Sequence, residues 1–301
     1  MSNTKKLIAV IGATGLQGGA VVRALQASGQ FKVRALTRNP AKHSQLADEV
    51  VLADLNRPET LPAAFAGAHG VFLVTNVWEP GTDERKQALA AVRAAKDAGV
   101  QHFIWSTLPN VETISRGKLD VPHFTDKAES DRIVKEAGFA HHTFVIAPFF
   151  YQNLLGVMAP QKQADGAAGW ALPLDPEPRV IHMGDITELG PIVVGAFAKP
   201  ELAGRGEHLP LVGDFLSFNE VIAALNQQGH KFSFKQVPKE LFAGWFPGAK
   251  HVAEMLAYFE AHTYLGADSR DAITLANRVA GRQPTMFAAW ARANFAIPAA
   301  A

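Results

Sequence analysis

Hydrophobic and polar positions change their rhythm near the middle of this chain. In the first half, short apolar runs alternate with stretches of helical spacing. Leu7–Ile11 reads as a buried strand, followed by glycines and a helix over 20–28. Further strands are predicted at 32–36, 50–53 and 71–75. The last of these shows no polar alternation, as expected of a strand covered on both faces. An amphipathic helix over 83–98 is stopped by Gly99. A strand at 102–105, a helix over 124–137 stopped by Gly138, and a strand at 143–146 follow. Alternation at this spacing means βαβ crossovers and a doubly wound parallel sheet.

After Pro148 the pattern changes. Residues 166–178, rich in Gly, Ala and Pro, predict a loop. Asp185-Ile186-Thr187-Glu188 resembles a capping box opening a helix to Phe197. Strands at 207–212 and 232–237 flank a helix over 218–228. Helices dominate from Pro238 onward, the last over 287–295. The expected fold class is therefore α/β, in two units. Residues 1–150 form the doubly wound unit, and 151–301 a smaller mixed α/β, mostly helical substrate or partner unit. The boundary is soft, because the chain can cross it more than once.

Composition narrows the chemistry. With 48% hydrophobic and 19% charged residues over 301 positions, the chain is globular rather than disordered, collagenous or a coiled coil. Its 29 basic and 28 acidic residues leave a net charge of +1. No single-sign field points to nucleic acid or a membrane, so a small molecule is the expected ligand. The absence of cysteine excludes disulfides, thiolate zinc sites, iron–sulfur clusters and cysteine nucleophiles. His141, His142 and His182 have no metal-ligand spacing, and no metal site is expected. Lys5-Lys6 before Leu7–Ile11 resembles the start of a signal peptide, but Gly12, Gly15, Gly18 and Gly19 break the run. The apolar stretch 143–159 is interrupted by Pro148, Gln152 and Asn153. Neither reaches the ~18 apolar residues of a spanning helix. A soluble, cytoplasmic monomer or homodimer is expected.

The most specific signal is Gly12-Ala13-Thr14-Gly15-Leu16-Gln17-Gly18, after the first strand and before a helix. Glycines there let the backbone turn tightly and approach a pyrophosphate, with amide N–H groups and the helix dipole facing the charge. This is the fingerprint context of a Rossmann dinucleotide-binding fold. The end of the second strand selects the dinucleotide. An NAD site places an acid there for the ribose 2′-OH. Here Arg38 stands 20 residues past Gly18, with Lys42 one short turn later. A guanidinium can grip a 2′-phosphate through paired hydrogen bonds, which predicts NADP(H). Asp54, closing the third strand, is expected near adenine, and Thr75-Asn76 at the ligand edge of the fourth.

The GxxGxxG spacing of the turn resembles the short-chain dehydrogenase/reductase pattern, but the catalytic pair usual in that family is missing. The three tyrosines, Tyr151, Tyr258 and Tyr264, are followed four residues later by Leu155, His262 and Asp268, so Tyr-x-x-x-Lys does not occur. In its place stands His123-Phe-Thr-Asp-Lys127, with both end residues on one helix face. His123 could serve as an acid with a pKa near 6.5, Lys127 could hold ribose, and Ser106 stands where a catalytic serine would.

Together these features resemble the NmrA-like family of atypical short-chain dehydrogenases/reductases. The likeness runs through GATGLQGG from Gly12, RNPAK from Arg38, TNVWE from Thr75, HFTDK from His123 and PFFYQNLL from Pro148. FPGAKHVAEML from Phe246 and GRQPT from Gly281 continue it. The resemblance implies pyrophosphate contacts at 12–17, and 2′-phosphate contacts at Arg38 and Lys42. It implies Asp54 and Leu55 at adenine, and Thr75, Asn76 and Val77 along the sheet edge. Lys86 and Lys127 would lie near ribose or phosphate, and Phe150, Tyr151 and Asn153 by the nicotinamide. Taken alone, Phe149-Phe150-Tyr151 reads as core. Human-type relatives are NADP(H)-binding redox sensors, the fungal branch binds a GATA-type transcription factor, and others reduce quinones or dyes. A sensor read by a protein partner is the expected function. An NADPH-dependent reductase of a quinone, dye or small carbonyl is the alternative.

Overall fold

The computed structural model describes residues 5–163 and 166–295; the outer limits of the two expected units lie outside the described residues. The first half builds β1 (Leu7–Ile11), α1 (Leu16–Ser28), β2 (Lys32–Thr37), β3 (Glu49–Leu52), α2 (Leu61–Phe65), β4 (Gly70–Leu73) and α3 (Glu84–Asp97). It continues with β5 (His102–Thr107), α4 (Val111–Ser115), α5 (Pro122–Glu136) and β6 (His141–Ile146). Local chemistry sets these limits. The Asp83 carboxylate caps α3 by accepting from the Lys86 N–H at 3.0 Å, and Pro122 occupies the first turn of α5.

The second half adds β7 (Phe149–Phe150), β8 (Gln161–Lys162), β9 (Ala168–Leu172), β10 (Ile181–Gly184), α6 (Leu189–Ala198), α7 (Pro200–Ala203) and β11 (Arg205–Pro210). Then come β12 (Asp214–Leu216), α8 (Phe218–Asn226), β13 (Phe232–Gln236), α9 (Lys239–Phe242), α10 (Ala249–His262), α11 (Arg270–Ala280) and α12 (Phe287–Asn294).

Seven parallel strands form the main sheet in the order β11-β6-β5-β4-β1-β2-β3. The order reverses at β1, so β4 and β2 flank it and a crevice opens at its C-terminal end, where such folds collect ligands. Helices α1, α6 and α11 cover one face and α2, α3 and α5 the other, each over its own apolar core. After residue 150 the chain re-enters this sheet through β11, α6 and α11. A third core gathers α8, α10, α12 and two three-stranded sheets, β12-β10-β7 and β13-β9-β8. The Tyr264 hydroxyl, donating to the Ala147 carbonyl at 2.7 Å, ties that core to the end of the main sheet.

Two local expectations are corrected. The loop expected over 166–178 contains β9, because Trp170 and Leu172 are buried and the segment pairs in parallel with β13. The indole N–H of Trp170 donates to the Met158 carbonyl at 2.7 Å. Asp185 does cap its turn, accepting from the Thr187 N–H at 2.9 Å. Glu188 does not close a capping box, because its carboxylate accepts instead from the Thr285 N–H at 2.6 Å and from Arg282.

At the opposite end of the sheet from the crevice, His102 and His141 open β5 and β6, their ring centroids 5.6 Å apart. Burial pulls the His102 pKa down to about 3, and likewise that of His182, in β10, to about 4. Both imidazoles fold neutral, whereas in the unfolded chain they protonate near pH 6.5. Their stabilisation is complete above that pH and is lost as the pH falls toward 4. At 1.36 kcal/mol per unit, His102 accounts for roughly 3 kcal/mol over that window. The urea midpoint should therefore drop sharply between pH 7 and 4.5, and His102→Gln should flatten the drop. An equal pH dependence in that variant would refute the assignment.

Candidate functional site

The turn after β1 is shaped by backbone alone. Gly12 adopts a left-handed φ of 75°, and the Gly15 N–H donates to the Gly12 carbonyl at 2.9 Å. Gly18 lies so close that a Cβ there would fall 2.1 Å from the Gly12 oxygen. Gly15 precedes α1, and no side chain caps the helix. The first-turn amides and the positive end of the helix dipole thus face the exposed stretch 14–16. Ala13 is buried beneath the turn. This turn, exposed and rich in N–H groups, suits a pyrophosphate.

Around it stand the other expected contacts, past the C-terminal ends of β2, β3 and β4, on one side and the other of β1. Arg38 follows β2; it is 62% exposed and ion-paired with Glu79, from the stretch 76–82 after β4. Lys42 is exposed in the single turn Pro40–His43. Asp54 follows β3, where its Oδ1 accepts from the Asn56 N–H at 2.9 Å, and Leu55 is half-buried beside it. Past β4, Asn76 is exposed and its Oδ1 accepts from the Trp78 N–H at 3.2 Å, while Val77 is half-buried. The fold thus assembles the 12–18 turn, Arg38, Lys42, Asp54, Leu55, Thr75, Asn76 and Val77 along one edge.

Lys127 has a structural post that sequence reasoning missed. Its ammonium, 9% exposed, donates to Glu84 Oε1 at 2.6 Å, to Thr75 Oγ1 at 2.9 Å and to the Thr75 carbonyl at 3.1 Å. The Thr75 hydroxyl also donates to Glu84 Oε1, at 2.5 Å, and the ammonium lies 5.2 Å over the Trp105 ring. Burial pushes the Lys127 pKa down, against the opposing pull of Glu84. All three ammonium protons are engaged in fastening the end of β4 and the start of α3 to α5. Glu84 carried no sequence signal, since acids are common in any first helical turn.

His123, one turn before Lys127, sits with its ring 5.2 Å from Trp78 and 5.0 Å from Phe124. Burial is the main cause that lowers its pKa to about 4, helped by the nearby His251 and Lys127. The expected value near 6.5 is therefore corrected, and the imidazole is neutral at pH 7. The Ser106 hydroxyl is buried and donates to Gln17 Oε1 at 2.7 Å, joining β5 to the glycine turn.

Two further placements differ from expectation. Tyr151 is fully buried in the third core against Phe287 and Trp290, and its hydroxyl donates to the Thr285 carbonyl at 3.2 Å. Burial raises its pKa above the usual phenol range. The aromatic run is core at this residue, as its composition alone suggests. Lys86 is 85% exposed, pairs with Asp83 at 3.0 Å, and turns to an outer groove of about 600 Å³ between α2 and α3. Phe150 and Asn153 are half-buried near the end of the main sheet. A separate open groove of about 790 Å³ runs along α5, where His208 Nε2 meets Asp131 Oδ2 at 2.8 Å and ties β11 to that helix.

A doubly wound sheet with an uncapped glycine turn after its first strand defines a Rossmann-type α/β protein. The chain belongs to the NmrA-like family, whose model matches residues 4–290. It is 30% identical over 237 residues to an NmrA-like family domain-containing protein of Dictyostelium discoideum, covering 75% of this chain and 78% of that protein. It is 34% identical over 224 residues to an NAD(P)H azoreductase of Xenophilus azovorans, covering 73% of each. Among solved structures it resembles NmrA, a negative transcriptional regulator, in complex with NADP, with a TM-score of 0.80 and 24% identity over 97% of this chain and 96% of that one. The same regulator has also been crystallised with NAD. Among the described residues, no helix is long and apolar enough to cross a membrane, and no cluster of three or more His, Cys, Asp or Glu could hold a metal ion.

Proposed function

We propose that this chain binds NADP(H) and acts as a redox-responsive regulator, with a protein partner reading the loops around the bound dinucleotide. The amides of 12–18 take the pyrophosphate. Arg38 and Lys42 take the 2′-phosphate, Asp54 and Leu55 lie at adenine, and 75–77 line the edge toward the nicotinamide, beside Phe150 and Asn153. When bound, the nicotinamide supplies or accepts hydride. The observation that carries the regulatory reading is the engagement of Lys127: its three protons are used inside the fold. Tyr151 lies in the core and His123 folds neutral, so neither is poised to deliver a proton.

A second reading is an NADPH-dependent reductase of an azo dye, quinone or small carbonyl compound. The 34% identity to an azoreductase favours it, and acceptors that take their proton from water need no side-chain acid. Titration with NADPH, followed by NADPH consumption against dyes, quinones and aldehydes, decides between the two. The regulatory reading expects binding without turnover. Turnover that falls in His123→Ala would replace it with the reductase.

A further inference from the structure

The stretch 76–82 is a strap. Its base is pinned at Thr75 by Lys127 and Glu84. Its path is set by two turns, Glu79 N–H to the Asn76 carbonyl and Thr82 N–H to the Glu79 carbonyl, both 3.2 Å. Its outer part reaches back across the crevice, over the end of β1, to Arg38 at the end of β2. Trp78, 66% exposed, lies beside Glu79 with its ring against His123. An NAD site needs an acid at the end of the second strand, where this chain has Arg38. Glu79 brings a carboxylate to that same place from the other side of β1.

We propose that Glu79 is the residue that sets how this chain distinguishes phosphorylated from unphosphorylated dinucleotides. The Glu79 carboxylate and a 2′-phosphate compete for one guanidinium, whose planar fork matches either anion. An NADP-type ligand displaces Glu79 and frees the strap. An NAD-type ligand carries no competing anion, leaves the Arg38–Glu79 pair in place and keeps the strap closed. The two ligand classes therefore make different contacts with the two strap positions, which is what a population shift requires. This inference rests on Arg38 being the 2′-phosphate contact, and it makes the strap report which dinucleotide is bound rather than whether it is oxidised or reduced.

The pair is exposed, so its competition is modest. Glu79→Gln should tighten NADP⁺ about fivefold, equivalent to about 1 kcal/mol at ~1.4 kcal/mol per decade, and change NAD⁺ less than twofold. Arg38→Ala should weaken NADP⁺ about tenfold more than NAD⁺. Two ligands lacking nicotinamide read the strap directly. Adenosine 2′,5′-bisphosphate should alter Trp78 emission, isolated by difference from a Trp78→Phe variant, and AMP should not. In Glu79→Gln that change should vanish, because the strap is already free. An equal effect of Glu79→Gln on NADP⁺ and NAD⁺, or a Trp78 response indifferent to the 2′-phosphate, would overturn the proposal while leaving dinucleotide binding intact. Equal losses for both dinucleotides in Arg38→Ala would remove the 2′-phosphate contact itself. Failure of the unaltered protein to bind either would overturn the proposed function along with it.

Discussion

Gly18→Ala is expected to lower the affinity for NADP⁺ and NAD⁺ alike by about a hundredfold or more, roughly 3 kcal/mol. A Cβ at Gly18 would stand 2.1 Å from the Gly12 oxygen, 2.4 Å from its carbonyl carbon and 2.9 Å from the Ala13 nitrogen. All three are backbone atoms, so no rotamer change relieves the clash. The turn must open, moving α1 and its uncapped amides away from the place where a pyrophosphate would lie. The same strain should destabilise the fold by about 1–3 kcal/mol, the usual cost of overpacking. Gly15→Ala is the control: its Cβ would lie 3.4 Å from the nearest atom, the Gly12 oxygen, and its φ of −90° suits any residue. Isothermal titration and urea unfolding of both variants measure the two effects. Unaltered binding in Gly18→Ala would mean that the turn is not the phosphate cradle.

Lys127→Met should destabilise the protein by about 3–5 kcal/mol, the typical cost of breaking a buried ion pair from one side. The methionine keeps the volume but strands the Glu84 carboxylate, of which one oxygen, Oε2, is already buried without a hydrogen-bond partner. Adding Glu84→Gln removes the stranded charge and should restore most of the loss. Denaturant midpoints of the single and double variants test this. A midpoint equal to that of the unaltered protein in Lys127→Met, accompanied by lost turnover, would return Lys127 to a catalytic role.

The first six strands, the helices α1, α3 and α5 between them and the glycine turn were legible because their signals are local; the five-residue helices α2 and α4 were not read. An apolar run of four to six residues, a helix-stopping glycine and a strand–glycine–helix succession are each read within one short window. Arg38 was equally legible, since its distance from the glycine turn is a property of the βαβ unit. Signals weakened where the partner was remote. The β9 segment, Ala168–Leu172, reads as a loop by composition and becomes a strand because β13 lies beside it. Tyr151 was expected by the nicotinamide, yet it points into the third core because α12 is packed there.

The amino-acid order by itself determined the doubly wound sheet, the glycine turn after its first strand and the absence of a Tyr-x-x-x-Lys pair. Each follows from periodicity, glycine spacing or a residue count along a continuous stretch. Only the tertiary structure decided that Lys127 fastens the fold through Glu84, 43 residues away, and that Glu79 holds Arg38 across 41 residues. Charges so far apart in the chain carry no mutual signature. Their pairing depends on which strand ends the sheet order places side by side, and on the burial that makes one pair costly to break and leaves the other free to exchange.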